Sequence, residues 1–272
     1  MDATPKTINM EELDKCLVEL KELIRDSEDK YLNAFINEDE YLKTFIVGRK
    51  FNVQNAFDTA KSFMAAKHGK YRNVFEMSPQ SVSHVIESGF FGTLKHRDDK
   101  GRLIGFMRIP KLDIKRMEFD EILRTAILMV ENYWYEHETI DKGQVFIIDY
   151  SGYNFSIFTR YSFNQKLSFA QLFLNNYPTK IKEVHIYNNP KLVGITYSLI
   201  RPFLPEKLRK RIFLHGHNQE NLLNHFSPDI LPKWMSGNLS DKEAIDYTVS
   251  ENALNGGVEF YDDNNASALK QG

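Results

Sequence analysis

The sequence predicts an α/β protein: an N-terminal helical segment, then a mostly parallel sheet flanked by helices. Two observations carry that prediction. From residue 103 onward, short apolar runs alternate with stretches of helical periodicity, the order that right-handed crossovers build into a parallel sheet. Before that point, residues 9 to 68 carry only the period expected of amphipathic helices.

Taken in order, Asn9 followed by Glu12 reads as a capping box, and Leu13, Leu17, Leu20 and Ile24 recur at helical spacing up to RDSEDK. A second helix carries Leu42, Phe45 and Ile46 and stops at Gly48. A third begins behind Asn52, shows Val53, Ala56, Phe57, Ala60, Phe63 and Met64, and ends before Gly69. The turn signal DDKG then introduces LIGFMRI (103–109), which has the content and length of a strand. A long helix follows, with the stripe Phe119, Ile122, Leu123, Ala126, Ile127, Val130, Tyr133 and Trp134. QVFIIDY (144–150) is apolar almost throughout and so is expected to be buried on both faces. A helical stretch near Ser168 to Asn176, the strand EVHIYN (183–188), a helix from Leu192 to Leu204 and a short strand RIFLHG (211–216) complete the pattern. The polar, Gly/Asn-rich ending over 256–272 reads as a flexible tail.

Composition narrows the function classes. The chain has 272 residues with 35 Lys+Arg against 37 Asp+Glu, so its net charge of -2 offers no global attraction to nucleic acid. Cys16 is the sole cysteine, which excludes an intrachain disulfide and thiol-rich metal sites and fits a cytoplasmic address. The first residues lack the features of a secretory signal, and no apolar run is long enough to span a bilayer. Phe and Tyr are abundant, at 20 and 13, which suits a lined cavity as well as a large core.

Enzyme motifs are missing. No GxGxxG or GxxxxGK[ST] supplies a phosphate cradle, and no GxSxG places a serine on a nucleophile elbow. His215, His217 and His225 invite a zinc reading, but no carboxylate or cysteine at ligand spacing accompanies them, so they read as edge or surface histidines. Asp149, in DYSG, reads as a carboxylate that holds loop amides. No cofactor, no metal and no catalytic residue is expected.

One stretch stands out. LIRPFLPEKLRKRI (199–212) sets Arg201, Lys207, Arg209, Lys210 and Arg211 among apolar residues, and a helix starting near Pro205 places Lys207 and Arg211 on one face. Lys180 and Lys182 lie two apart in an extended segment. Together with Lys207 and Arg211 they would attract an anionic membrane surface by about 1 kcal/mol each. The preceding KLVGITYSLIRPFL is apolar nearly all round, as expected of a helix over an apolar cavity.

FIVGRKFNVQNAF, GQVFIIDYSG, YPTKIKEVHIYNNP, IRPFLPEKLRKRIFLHG and HFSPDILP resemble the corresponding blocks of the CRAL-TRIO lipid-transfer proteins, in the branch of α-tocopherol transfer protein and cellular retinaldehyde-binding protein. The resemblance covers about residues 10 to 250. It implies an N-terminal helical domain over 9–75 and a lipid-binding domain over 76–250, whose pocket encloses one lipid beneath a mobile gate helix of about Leu192 to Leu204. Hinges would lie near Pro190 and near Pro202 or Pro205. By the same resemblance, Leu123, Ala126, Val130, Ile148, Phe158, Phe169, Phe173, Ile181, Val184, Ile195 and Leu199 face the lipid, and Lys180, Lys182, Lys207 and Arg211 hold a phosphoinositide headgroup. Where some relatives carry serines on the long helix, this chain has Ala126 and Val130, which leaves Tyr133, Tyr150 or Tyr187 to supply a polar contact. The family's LPxEYGG is replaced by LPKWMSG, changing Trp234, Met235 and Ser236.

The implied function is non-enzymatic: binding one hydrophobic lipid, such as a retinoid, tocopherol or carotenoid, and delivering it to phosphoinositide-containing membranes, where the protein sits peripherally and transiently. The alternative is a phosphoinositide-responsive signalling or scaffold module without a dedicated cargo.

Overall fold

The computed structural model describes residues 9–133, 136–218 and 220–255. Trp134 and the tail expected over 256–272 lie outside the described residues. The chain divides into two compact units. The first holds the described residues up to Arg72 together with Asn175–Pro178. The second holds Asn73–Leu174 together with the described residues from Thr179 onward.

The first unit is helical. α1 (Met10–Asp26) starts where the Asn9 side chain accepts from the Glu12 amide, and it buries Leu13, Leu17, Leu20 and Ile24. α2 (Lys30–Ala34) is capped by Asp29, and α3 (Asp39–Gly48) buries almost every residue from Tyr41 to Gly48. α4 (Val53–Ala65), capped by Asn52, contributes Phe63, whose ring meets Tyr41, Phe45 and Tyr177. Arg49 ties the Asn175–Pro178 segment to these helices, donating to the carbonyls of Tyr177 at 3.0 Å and Pro178 at 3.3 Å and to the Thr59 hydroxyl at 2.7 Å.

The second unit is built on a five-stranded sheet in the order β1 (Phe91–Thr93), β2 (Leu103–Arg108), β3 (Gln144–Asp149), β4 (Ile181–Tyr187) and β5 (Ile212–Leu214). β2 to β5 are parallel, and β1 pairs antiparallel to β2 at the edge. The periodicity places the four parallel strands to within a few residues. β1 escapes it, because three residues are too few to show an alternation. Two further differences have local causes. The helix expected over 192–204 is α-helical only over Lys191–Ile200 and tightens to a 3-10 turn at Arg201–Phe203, where Pro202 removes a donor. The helix Phe155–Arg160 precedes the longer Phe163–Asn175 and, with no buried residue, presents no stripe to read.

A parallel sheet has to be covered on both faces. One face packs solidly: Ile104, Phe106, Val145, Ile147 and Tyr187 meet Leu222, Phe226, Leu231, Met235, Ala244 and Ile245. The altered segment therefore belongs to this cover. Met235 is fully buried, and Trp234 stacks edge-on against Phe106 at 5.4 Å with the Arg108 guanidinium 4.1 Å from its ring. Ser236 adopts a left-handed conformation, and a Cβ on Gly237 would meet the Leu231 carbonyl oxygen at 2.0 Å. Gly237 is thus required by close backbone approach. Asp149 holds the turn after β3, accepting from the Ser151 amide and hydroxyl and from Asn188.

Across the starts of β2 and β4 runs a charged chain. Arg102 bonds Asp98 at 2.5 Å and Glu183 at 2.9 Å, with the Arg102 and Asp98 side chains almost wholly buried. Burial alone would raise the Glu183 pKa, but its bonds to Arg102 and His185 bring it down to about 2. Replacing Arg102 by Met leaves the Asp98 carboxylate buried beside its backbone donors with no cation. We expect a loss of about 3 kcal/mol or more, read as a lowered urea midpoint with unchanged slope.

Candidate functional site

The opposite face of the sheet is not packed solid. Strand alternation turns Leu103, Gly105 and Met107 of β2 and Gln144, Phe146 and Ile148 of β3 to this side, opposite each other in register. β4 would fall out of step, since Ile181 pairs with Gln144 while Glu183 pairs with Val145. The bulge at Lys182 corrects this, so that Ile181, Val184 and Ile186 all face the same way. Over these strands lie Phe119–Glu131, Phe163–Asn175 and Lys191–Ile200. Between sheet and helices is a cavity of about 300 Å³, at the lower end of the range for small-molecule sites.

Its wall is almost wholly apolar. The long helix supplies Ala126, Met129 and Val130, the next helix Phe169, Ala170, Phe173 and Leu174, and the crossover helix Val193 and Ile200. Gly105 makes room for the Phe146 ring, which a Cβ there would meet at 2.9 Å. A few polar groups break the surface. The Tyr133 and Thr93 hydroxyls share a 2.5 Å hydrogen bond, and Gln144, Tyr150, Thr196 and Tyr197 also reach the wall. Burial pushes the Tyr133 and Tyr150 phenols above their ordinary values, so both keep their protons.

Of the residues named from the sequence for this role, Ala126, Val130, Tyr133, Ile148, Tyr150, Phe169, Phe173, Ile181 and Val184 line the cavity. Leu123, Phe158, Tyr187, Ile195 and Leu199 do not. Leu123 is buried away from the cavity wall, and Tyr187 points to the solid face, where its hydroxyl donates to the Trp234 carbonyl at 3.4 Å. Ile195 and Leu199 are about half exposed, because the crossover helix turns Val193, Thr196, Tyr197 and Ile200 inward and those two outward. Sequence reasoning missed the inward contributions of β1 and β2, Phe91, Thr93, Leu103 and Met107. The alternation of LIGFMRI carried the signal for β2.

The basic residues gather at one end of the sheet. Because β3, β4 and β5 are parallel, Lys180 and Lys182 at the start of β4 lie at the same end as Arg211 before β5, and the turn Glu206–Arg209 carrying Lys207 packs against β4. They are not equivalent. Arg211 donates to the Ile181 carbonyl at 2.6 Å, Lys180 is mostly covered and lies 3.9 Å from Asp141, and Lys207 is exposed.

On the solid face a group absent from the sequence reading forms. His215 and His225 meet not His217, which is exposed, but the fully buried His185 of β4. The reason is topological: β5 lies beside β4, so residues thirty apart become neighbours while alternate residues beyond the strand end diverge. Burial together with the neighbouring imidazoles lowers the His185 pKa to about 4.

Residues 87–237 match the family model described as CRAL/TRIO domain. Clavesin-1 of Xenopus laevis is 30% identical over 205 residues, covering 74% of this chain and 61% of that protein. The mouse α-tocopherol transfer protein-like protein is 29% identical over 239 residues, covering 86% of this chain and 67% of that protein. The chain thus spans about three fifths of the clavesin's length. The crystal structure of Sfh5 superposes with a TM-score of 0.61 at 15% identity, over 98% of each chain, which is a likeness of fold.

Thr93→Val should leave the buried Tyr133 hydroxyl without its partner. The expected cost is about 1–3 kcal/mol, measured by chemical denaturation, with a smaller loss in the double variant Thr93→Val, Tyr133→Phe.

Proposed function

Because this chain belongs to the CRAL/TRIO domain family, we propose that it binds one hydrophobic lipid in the cavity above the sheet and delivers it to phosphoinositide-containing membranes. The observation that carries this reading is the cavity itself, a space of about 300 Å³ walled by side chains from β1 to β5 and three helices, with apolar surface far exceeding polar. Affinity would come from removing apolar ligand surface from water at about 25 cal/mol per Å². The cargo's scale suits a retinoid or another compact isoprenoid, and a single hydroxyl or carbonyl on it would find Tyr150 or the Tyr133–Thr93 pair.

The helix Lys191–Ile200 would be the gate. One side closes the cavity, while the other exposes Ile195, Leu199 and, past Pro202, Phe203, each more than half accessible. Phe203 reaches the Phe163 ring at 5.8 Å, which extends the apolar surface onto the neighbouring helix. An apolar patch of this kind next to Lys182, Lys207 and Arg211 fits insertion into an anionic bilayer surface. Opening there would be driven by the membrane's greater affinity for the open form. The protein would work in the cytoplasm, bound at membranes peripherally and transiently, without turnover of its cargo.

The primary test is to purify the protein from its native tissue, extract it with organic solvent and identify what is bound by mass spectrometry. One lipid at near-unit stoichiometry supports the reading. An empty extract, or a miscellany of membrane lipids, favours a phosphoinositide-responsive module without cargo.

Lys182→Ala with Lys207→Ala should weaken binding to phosphoinositide vesicles about tenfold or more, less at high salt, while affinity for the extracted lipid stays unchanged. Arg211 is left intact because its bond to Ile181 supports β4. Ile195→Asp with Leu199→Asp should retain cargo and slow its transfer to vesicles, measured by fluorescence energy transfer from a labelled cargo. Faster transfer, or loss of cargo, would contradict the assignment of that outward face.

A further inference from the structure

The imidazoles of His185, His215 and His225 converge on the sheet face turned away from the cavity, so nothing in the lipid reading uses them. Their ligand nitrogens all lie within 4.8 Å of one another. Nitrogens bound tetrahedrally to zinc at about 2.0–2.1 Å are about 3.4 Å apart. His185 Nδ1 and His215 Nε2 are already 3.0 Å apart, and the third ligand belongs to the exposed His225, whose ring lies 4.6 Å from that of His185 and 5.5 Å from that of His215.

What surrounds the cluster orients it. Glu183 Oε2 lies 3.2 Å from His185 Nε2, and a carboxylate there holds the proton on Nε2 and leaves Nδ1 with a bare lone pair aimed at His215. Arg102 in turn fixes Glu183 at 2.9 Å and is itself anchored by buried Asp98. This is the carboxylate–histidine pairing that positions ligating imidazoles in metal sites, with one shell more behind it. Phe213 stacks on the His185 ring at 4.9 Å, and Phe226 meets it edge-on at 4.9 Å, giving the site an apolar inner wall. On the outer side His225 is exposed.

We propose that His185, His215 and His225 bind one divalent transition-metal ion, with zinc the best match, and leave a fourth coordination position for water. Neutral imidazole suits zinc, and three histidines with an open position form a known ligand set. The bond forming is Nδ1 of His185, Nε2 of His215 and one nitrogen of His225 to the metal. The bond lost is the hydrogen bond between His185 and His215, and the proton on His215 Nε2 passes to its Nδ1, so no proton need be released. The ion would fasten β5, only three residues long, to β4 and to the segment after Glu220–Leu223. This site does not depend on the lipid reading and could stand if that reading fell.

The test uses the untagged full chain, stripped with chelator and dialysed, then titrated with Zn2+ against a chromophoric competitor and separately with Co2+. One equivalent of Zn2+ and visible absorption of tetrahedral Co2+ are expected. His225→Ala, an exposed position, should abolish both signals, and Glu183→Gln should weaken Zn2+ about 10- to 100-fold. His217→Ala should change neither. The unsubstituted protein provides a readout free of any folding defect: Zn2+ should raise its thermal midpoint, and the rise should continue with the logarithm of free Zn2+ above the dissociation constant. Absence of that shift, substoichiometric uptake, or equal loss in the His217 and His225 variants would overturn the site and leave a hydrogen-bonded histidine pair in its place.

Discussion

The second unit follows from the requirement that both faces of a parallel sheet be covered. The connections between such strands must pass over the sheet, and here the helices Phe119–Glu131, Phe163–Asn175 and Lys191–Ile200 serve the face that bears the cavity. The opposite face is covered by chain that follows β5 and returns as short turns, with Phe226, Leu231 and Met235 reaching into it. Short turns follow a surface closely, whereas rigid helices span it. The same sheet is therefore solid below and hollow above.

That asymmetry sets the place of the LPKWMSG segment. Trp234 and Met235 pack on the solid face, on the side of the sheet away from the cavity, and neither reaches the cavity wall. Arg108 links this cover to the sheet, stacking on Trp234 and approaching Asp241 at 3.4 Å.

How much of this is legible in the sequence depends on the length of each signal. Helix caps at Asn9 and Asn52 and the run QVFIIDY are local patterns, and the structure follows them closely. The direction of a side chain is harder. Tyr187 and Ile186 are adjacent, and only the bulge at Lys182, invisible without the partner strand, decides which one reaches the cavity. In the helix Lys191–Ile200 apolar residues occupy every side, so periodicity could not tell Val193, turned inward, from Ile195, turned out. The histidine cluster is the extreme case: the sequence groups His215 and His225 with the nearby His217, while the partner, His185, is supplied by a different strand.

The bulge has a second consequence. Inserting Lys182 keeps Ile181 and Val184 on the cavity wall while it also places a cation beside the start of β3, where Gly143, at φ +85°, lies against the Lys182 stem. The residue that sets the register of the apolar wall thus also builds the basic end. Arg211 reinforces the arrangement, since its bond to the Ile181 carbonyl clamps β4 at the bulge to the strand that receives the crossover. Past the helix Lys191–Ile200 the chain keeps to the cavity wall at Leu204 and Leu208, and Leu208 sits in the turn that carries Lys207. The cavity wall and the basic end are therefore joined by one continuous stretch of chain.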